Sequence, residues 1–447
     1  MPVSPARAAA FDILMRVAEH GAYASELLHS EKFRSLSHAD HALATQITMG
    51  VLRWQSSLDE NLAAVSSQKL ARLDTEVLIG LRMGVFQLRF LERVPARAAI
   101  FESVELVKRA RKRSAAPFVN ALLRKAGALP NVPISDKADD AATLAAATAH
   151  PLWLVQRWIA RYGAERARAI CSYDQEIPAT AVYLHPQELN EGSMETEFAH
   201  SGVTLEPGAL LTRARRVAAG DITKTAAFKA GRVAFQDEAS QLVAMLVGSG
   251  RRILDCCAAP GGKTRLIADK NPESQIVAVD LHPHRAGLVR RLGARENISV
   301  VAADARKLPF DARFNRILAD VPCSGTGTLA HNPEIKWSLK REDIDDLATR
   351  QISILKSALA QLEPGGRVVY STCSLEAEEN EAVVEHALTE FADVRLMSCR
   401  EELERLRNDG ELAWQDIDSL VSGKFLRTIP GVHPCEGFFA AILEKSD

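Results

Sequence analysis

Residues 251–270 read RRILDCCAAPGGKTRLIADK, and this stretch decides the fold. Ile253 and Leu254 are an apolar run suited to a buried strand, Asp255 ends it, residues 256–262 turn, and from Lys263 an amphipathic helix carries Leu266 and Ile267. Strand, glycine-bearing turn and helix in that order make a cradle for a nucleotide-like ligand. Adjacent Gly261 and Gly262 let backbone approach the ligand closely, and the helix start offers unpaired N–H groups.

On the C-terminal side the texture alternates strand and helix from Gly231 onward, the pattern of a doubly wound parallel sheet. Strands are expected at 252–255, 275–280, 298–302, 315–320 and 367–371, with a terminal one at 438–443. Asp255, Asp280, Asp304 and Asp320 each fall at or just past a strand's carboxyl end, where such sheets bind their ligands. Four in succession argue for a site.

Three ligands compete for the turn. A phosphate-gripping loop needs G-x-x-x-x-G-K-[ST]; Gly262, Lys263 and Thr264 fit its tail, but Cys257 stands where the first glycine belongs. A dinucleotide fingerprint needs G-x-G-x-x-G, and the glycines here are adjacent. An adenosyl cofactor without phosphates needs only close backbone approach and an acid such as Asp280 for the ribose hydroxyls, a feature that nicotinamide binders share.

The next two strand ends separate these readings. Asp320 opens DVPCSG, with Cys323, and Tyr370 opens YSTCS, with Cys373, so two thiols arrive at neighbouring strand ends. A lone cysteine is usually a small buried hydrophobe. A pair at strand ends suits methyl transfer to C5 of cytosine: a thiolate adding to C6 turns the poorly nucleophilic C5 into an enamine carbon. That cycle also needs a carboxyl group for the base edge, a methyl donor and a base for the C5 proton. Asp320, Cys323 and Cys373 are the residue types required.

The N-terminal side is of another kind. Residues 5–126 read helical, with Phe11, Leu14, Val17 and Ala18 on one face and Val77, Leu78, Leu81, Val85 and Leu88 on another, as expected of a bundle. Pro117 opens PFVNALLRKA, a last helix with Phe118, Leu122 and Leu123 inward. Residues 1–125 hold 18 Lys and Arg against 12 Asp and Glu, and KRARKR at 108–113 is either a solvated face or a phosphate-contacting patch. Residues 128–140 read as a linker, and the next helix, 152–162, carries Trp153 and Trp158 as core residues. Short apolar runs at 181–184 and 203–205 suggest a small α+β unit, beside which Arg213, Arg215 and Arg216 either meet phosphate or sit in solvent.

The 447 residues suit about three domains, expected at 1–140, 141–220 and 221–447. No apolar run approaches membrane-span length and no signal peptide is read, so a cytoplasmic protein is expected. The net charge of −2 excludes nothing, and the seven cysteines show neither disulfide-framework nor metal-ligand spacing.

DCCAAPGGKT, DVPCSGTG with the following NPEIKW, and YSTCS resemble the signature motifs of the RNA cytosine-5 methyltransferases. The whole chain is similar to their bacterial Sun/Fmu type, which modifies small-subunit (16S) ribosomal RNA, and ESVELVKRARKRSAAPFVNALLRKA resembles its NusB-like RNA-binding domain. The resemblance implies an all-α NusB-like bundle, a small α+β middle domain and a C-terminal α/β Rossmann-like class I methyltransferase domain. It implies S-adenosylmethionine as cofactor, ribosomal RNA as partner, and neither a metal, a membrane nor an obligate protein partner. By resemblance Cys373 is the nucleophile, Cys323 assists product release and Asp320 positions the base near the reacting centre, whereas DNA cytosine methyltransferases use the Pro-Cys thiol; the chemistry alone does not rank the two. The family's cofactor contacts fall on Cys257, Ala258, Ala259, Pro260, Gly261, Gly262 and Lys263, on Asp280 at the ribose, on Asp304 at the adenine side, and on Asp320. Cys256 and Val321 stand where relatives often carry alanine, and AVYLH at 181–185 lacks the Arg-x-Asn pattern on which one expected RNA contact would rest, a departure that leaves the chemistry untouched. Lys263 or the helix start is expected to activate Cys373.

Overall fold

The computed structural model describes residues 3–33, 35–129, 140–185, 191–292, 295–311 and 313–447. Most of the expected linker, 130–139, lies outside the described residues. The chain forms two compact units, one of Met1–Ile177 with Leu329–Ser338, the other of Pro178–Thr328 with Leu339–Asp447.

The first unit is helical throughout its described residues. Helices Pro5–His20, His38–Arg53, Gln55–Val65, Thr75–Phe90, Ala96–Arg109 and Ala116–Gly127 bury Ile13, Ile47, Leu58, Leu62, Leu81, Met83 and Leu106 in one core. The apolar period marks the inner faces, although Ala18 is exposed where the pattern put it inside: the first helix is near its end there, and Ile13 takes the core position. Close crossing needs a small residue at Gly50, whose added Cβ would lie 1.9 Å from the Phe86 ring. Buried Arg7 ties three helices, donating to Gln87 Oε1 at 2.6 Å and Glu102 Oε1 at 3.0 Å. Helices Ala141–Ala147, Leu152–Tyr162 and Ala164–Tyr173 follow, with Trp158 fully buried among them as core and Trp153 half-buried.

Residues 329–338 return to this helical unit, although the sequence sets NPEIKW directly behind DVPCSGTG. Ala24 N donates to Glu334 Oε1 (2.8 Å), Lys336 Nζ donates to the carbonyls of Arg53 (2.8 Å) and Ala149 (3.0 Å), and Trp337 Nε1 donates to that of Leu52 (2.6 Å). Burial lowers the Lys336 ammonium to about 7, against the opposing pull of Asp174.

The second unit holds two sheets. Strands β1 (Ala181–Leu184), β2 (Thr204–Pro207), β3 (Arg215–Ala219) and β4 (Val233–Phe235) form an antiparallel sheet in the order β2-β3-β1-β4 beside helix Glu191–His200, an α+β element as read. The AVYLH run spends Tyr183 and His185 on buried Asp269, at 3.0 and 3.2 Å. Arg216 is likewise taken, bridging Glu238 (2.6 Å) and the carbonyl of Pro434.

The larger sheet contains β5 (Arg252–Asp255), β6 (Gln275–Asp280), β7 (Ile298–Ala302), β8 (Phe314–Asp320), β9 (Leu362–Thr372), β10 (Val394–Met397), β11 (Val421–Ser422), β12 (Phe425–Arg427) and β13 (Phe439–Lys445). Its order is β11-β12-β13-β9-β8-β5-β6-β7, with β10 also on β13. Strands β7, β6, β5, β8 and β9 are parallel, but β13 joins β9 antiparallel and β10 to β12 continue antiparallel. The sheet is therefore mixed rather than wholly parallel. Strands β10, β11 and β12 are set by pairing with β13 and with one another rather than by a local pattern.

Alternate residues face two cores. Leu318 and Val369 pack with helices Glu238–Leu246 and Gly262–Lys270; Ile317, Ala319, Val368 and Tyr370 pack with helix Arg341–Ala360. Because the chain moves from β5 outward to β6 and β7, and then back to the other side of β5 as β8, the order reverses between β5 and β8. In sheets of this kind the ligand crevice lies at the carboxyl ends beside such a reversal.

Candidate active site

Asp255 ends β5 at the switch point and is 1% exposed. Thr264, in the first turn of helix Gly262–Lys270, donates to its Oδ2 at 2.6 Å, which fixes the helix start against the strand end. Burial raises the Asp255 carboxyl to about 7; the Thr264 hydrogen bond opposes this and nearby Asp320 adds to it. Between strand and helix, Gly261 turns at φ +112°, a conformation open to glycine. No side chain caps the helix, so its first N–H groups face the crevice. Pro260 is exposed, Cys257 and Ala259 are half-buried, and Ala258 is buried; Cys256 is fully buried in the apolar core, a structural position.

Lys263 reaches across the switch point. Its Nζ lies 2.8 Å from Asp320 Oδ2 at the end of β8 and 4.9 Å from the Phe438 ring centroid. Burial alone would lower this ammonium, but Asp320 and then Cys373 outweigh it and hold it above its ordinary value. Ser371, on β9, donates to Asp320 Oδ1 at 2.7 Å. The aspartate is thus fixed at both oxygens.

The two signature thiols meet. Cys323 Sγ and Cys373 Sγ are 3.3 Å apart, both half-buried, and all seven cysteines are free thiols. Contact with Cys373, then burial, then the charge of Glu379 push the Cys323 thiol well above its usual range. The loop bearing Cys323 closes on neighbouring backbone: Gly327 N donates to Cys373 O (2.9 Å), and Gly437 N donates to Gly327 O (2.8 Å). A Cβ at Gly327 would lie 2.3 Å from Gly437 O, so this approach requires glycine.

Asp280, at the end of β6, is 5% exposed and accepts from His282 N at 3.0 Å. Asp304 lies just past β7, half-buried, with its carboxylate engaged by Arg306 at 2.6 Å, an interaction that holds it below its ordinary range. Lys263, Asp320, Cys323 and Cys373 are therefore brought together at β8 and β9, Asp280 sits one strand beyond β5, and Asp304 is paired locally.

The sequence reading did not single out Glu379. It is fully buried, and its carboxylate accepts from Ser324 N (2.8 Å), Gln351 Nε2 (2.9 Å), Ser374 Oγ (2.5 Å) and Ser324 Oγ. Its only sequence signal is the serine that follows each cysteine, Ser324 and Ser374.

An uncapped helix start beside a glycine turn, with a nine-tenths-buried carboxylate on the next strand, fits a ligand that carries both a carboxylate and a ribose diol. The residues present thus fit an adenosyl amino acid.

Residues 244–444 match the family described as 16S rRNA methyltransferase RsmB/F, and residues 4–127 match the NusB family. The probable ribosomal RNA small subunit methyltransferase B of Bacillus subtilis is 34% identical over 405 residues, covering 88% of this chain and 90% of that protein. The ribosomal RNA small subunit methyltransferase B of Vibrio cholerae is 30% identical, covering 98% and 97%. The crystal structure of PH0851 shares the fold over 100% of both chains, with a TM-score of 0.82 at 21% identity. Among the described residues no helix is long and apolar enough to cross a membrane. The chain belongs to the 16S rRNA methyltransferase RsmB/F family, as an S-adenosylmethionine-dependent enzyme that methylates small-subunit ribosomal RNA.

Proposed function

We propose that the enzyme methylates C5 of a cytosine in 16S ribosomal RNA through a covalent bond between Cys373 and C6 of the base. One observation carries this reading: Cys323 and Cys373, from neighbouring strand ends, lie 3.3 Å apart beside the Lys263–Asp320 pair.

Cys373, as thiolate, adds to C6, and the electron pair of the C5=C6 bond moves toward N3. Asp320 accepts from the exocyclic amine and so orients the base, while the Lys263 ammonium beside it offsets the negative charge that develops toward N3. When bound, the sulfonium donor supplies an electrophilic methyl group to C5. Residues 257–263 and Asp280 would hold that donor, with Asp304 on its adenine side. Loss of the C5 proton to a base restores the double bond and expels Cys373. Cys323, in contact with that sulfur, assists this release. Lys263, whose ammonium interacts with Cys373, is the group assigned to its activation.

The target base has to be unpaired or extruded to reach the crevice. Arg109, Arg111 and Arg113 are exposed on the helical unit and suit RNA phosphates, whereas Lys108 and Lys112 are held by Glu105 and Asp74. Function in the cytoplasm, without an obligate protein partner, belongs to the same proposal.

The test uses 16S RNA carrying 5-fluorocytosine, whose fluorine cannot leave as a proton does, so the adduct persists. Wild type and Cys323→Ala are expected to form a protein–RNA adduct stable to denaturant, and Cys373→Ala none. Adduct lost in Cys323→Ala but kept in Cys373→Ala would reverse the thiol roles. No adduct in any variant would refute the covalent route.

A further inference from the structure

Glu379 joins two loops that the sequence keeps 50 residues apart. Ser324 directly follows Cys323, and Ser374 directly follows Cys373. Both hydroxyls converge on Glu379 Oε2, while Ser324 N and Gln351 Nε2 converge on Oε1. The same Gln351 amide donates to Pro322 O at 2.9 Å, so the residues on both sides of Cys323 are held. On the other side, Leu375 N donates to Thr326 Oγ1 (2.9 Å), and Tyr370 Oη donates to the Glu379 carbonyl (2.5 Å), anchoring the glutamate to β9.

A buried carboxylate with four donors is costly to assemble, and an apolar contact would pack the same space at lower cost. What this carboxylate does that an apolar side chain does not is fix the relative position of two loops by direction-dependent bonds. We propose that Glu379 is a positioning residue of the two-thiol site, clamping the Cys323 loop to the Cys373 loop through Ser324 and Ser374 and so setting the 3.3 Å approach of the sulfurs. The catalytic consequence rests on the function proposed above, because only a two-thiol reaction needs that approach. The glutamate itself touches no reacting atom.

The isostere separates a clamp from a charge effect. In Glu379→Gln the amide oxygen still accepts from Ser324 N and Gln351, and the amide nitrogen donates to the two serine hydroxyls, which can rotate to accept. Glu379→Ala removes every strut.

Phenylarsine oxide reads the sulfur spacing without turnover. It condenses with two thiols to give an arsenic bound to both sulfurs and one water, and it does so only where the sulfurs lie close together. Capture is followed by mass spectrometry of the Cys323 and Cys373 peptides, beside steady-state methylation of 16S RNA. Glu379→Ala is expected to slow capture and to lower kcat by about tenfold or more, with KM for RNA and for S-adenosylmethionine within about twofold of wild type. Glu379→Gln is expected to restore both. Capture and kcat unchanged in Glu379→Ala would overturn the clamp, as would a Gln variant as impaired as the Ala variant. If Glu379→Ala does not fold, the Ser324→Ala/Ser374→Ala double variant carries the test: slowed capture supports the clamp, and wild-type capture overturns it. Wild-type protein that captures the arsenical but forms no adduct with 5-fluorocytosine RNA would refute the C5 reading and leave the clamp standing. Adduct formation with capture insensitive to Glu379 would refute the clamp alone.

Discussion

Asp255→Asn isolates the electrostatics of the switch point. Asp255 is 1% exposed, and burial raises its carboxyl from the ordinary 3.8 to about 7. The folded chain therefore keeps a proton that the unfolded chain has released. The stability this contributes is fully present below the unfolded value and is lost as pH rises through the folded one. A displacement of about three units at 1.36 kcal/mol each makes the loss about 4 kcal/mol across the window from about pH 4 to about pH 8. Asparagine mimics the protonated acid: its amide donates to Thr264 Oγ1, and its oxygen accepts from Cys257 N. Opening of a two-unit chain is not one event, so the assay is hydrogen exchange at Ile253 and Leu254, whose amides report opening of the sheet that holds Asp255. The difference in opening free energy between variant and wild type cancels groups common to both. It should grow in favour of the variant by about 4 kcal/mol between the two pH values. Profiles that stay parallel to within about 1 kcal/mol would refute a carboxyl held protonated by burial.

Two further outcomes follow from the same geometry. Lys263→Met removes the cation 2.8 Å from Asp320 that interacts with Cys373, so adduct formation with 5-fluorocytosine RNA should slow by about tenfold or more; unchanged adduct kinetics in a variant that still binds S-adenosylmethionine would exclude Lys263 as the activator. Gly327→Ala places a Cβ 2.3 Å from Gly437 O, a backbone atom that cannot rotate aside, and should cost about 1–3 kcal/mol in thermal or denaturant stability while lowering kcat through displacement of the Cys323 loop; an alanine variant with wild-type stability would show that the two backbones separate freely.

Elements whose signal is local are legible in the amino-acid sequence alone. The helical period exposed the N-terminal bundle, and β5, β6 and β7 run over the residues their apolar texture marks, because a short apolar run bounded by turn residues needs no distant partner to be recognised. The order of chemistry along the chain was equally legible: an acid at or just past four strand ends, a glycine turn without a phosphate loop's first glycine, and two cysteines in separate signatures. The tertiary structure decided what lies between residues far apart in the chain. Only pairing across the sheet could make β13 antiparallel to β9, since strand direction depends on the path of the connection rather than on composition. Nothing local in NPEIKW marks it as part of the helical unit; its buried Lys336 and half-buried Trp337 find their acceptors on carbonyls of residues 52, 53 and 149. Arg216 reads as a free cation until Glu238 appears beside it. Glu379 reads as one acid in an acidic run, and acquires a role only where folding brings Ser324 and Ser374 to the same carboxylate. Periodicity and turn chemistry are written residue by residue, whereas a hydrogen bond between loops exists only after the sheet has set their separation.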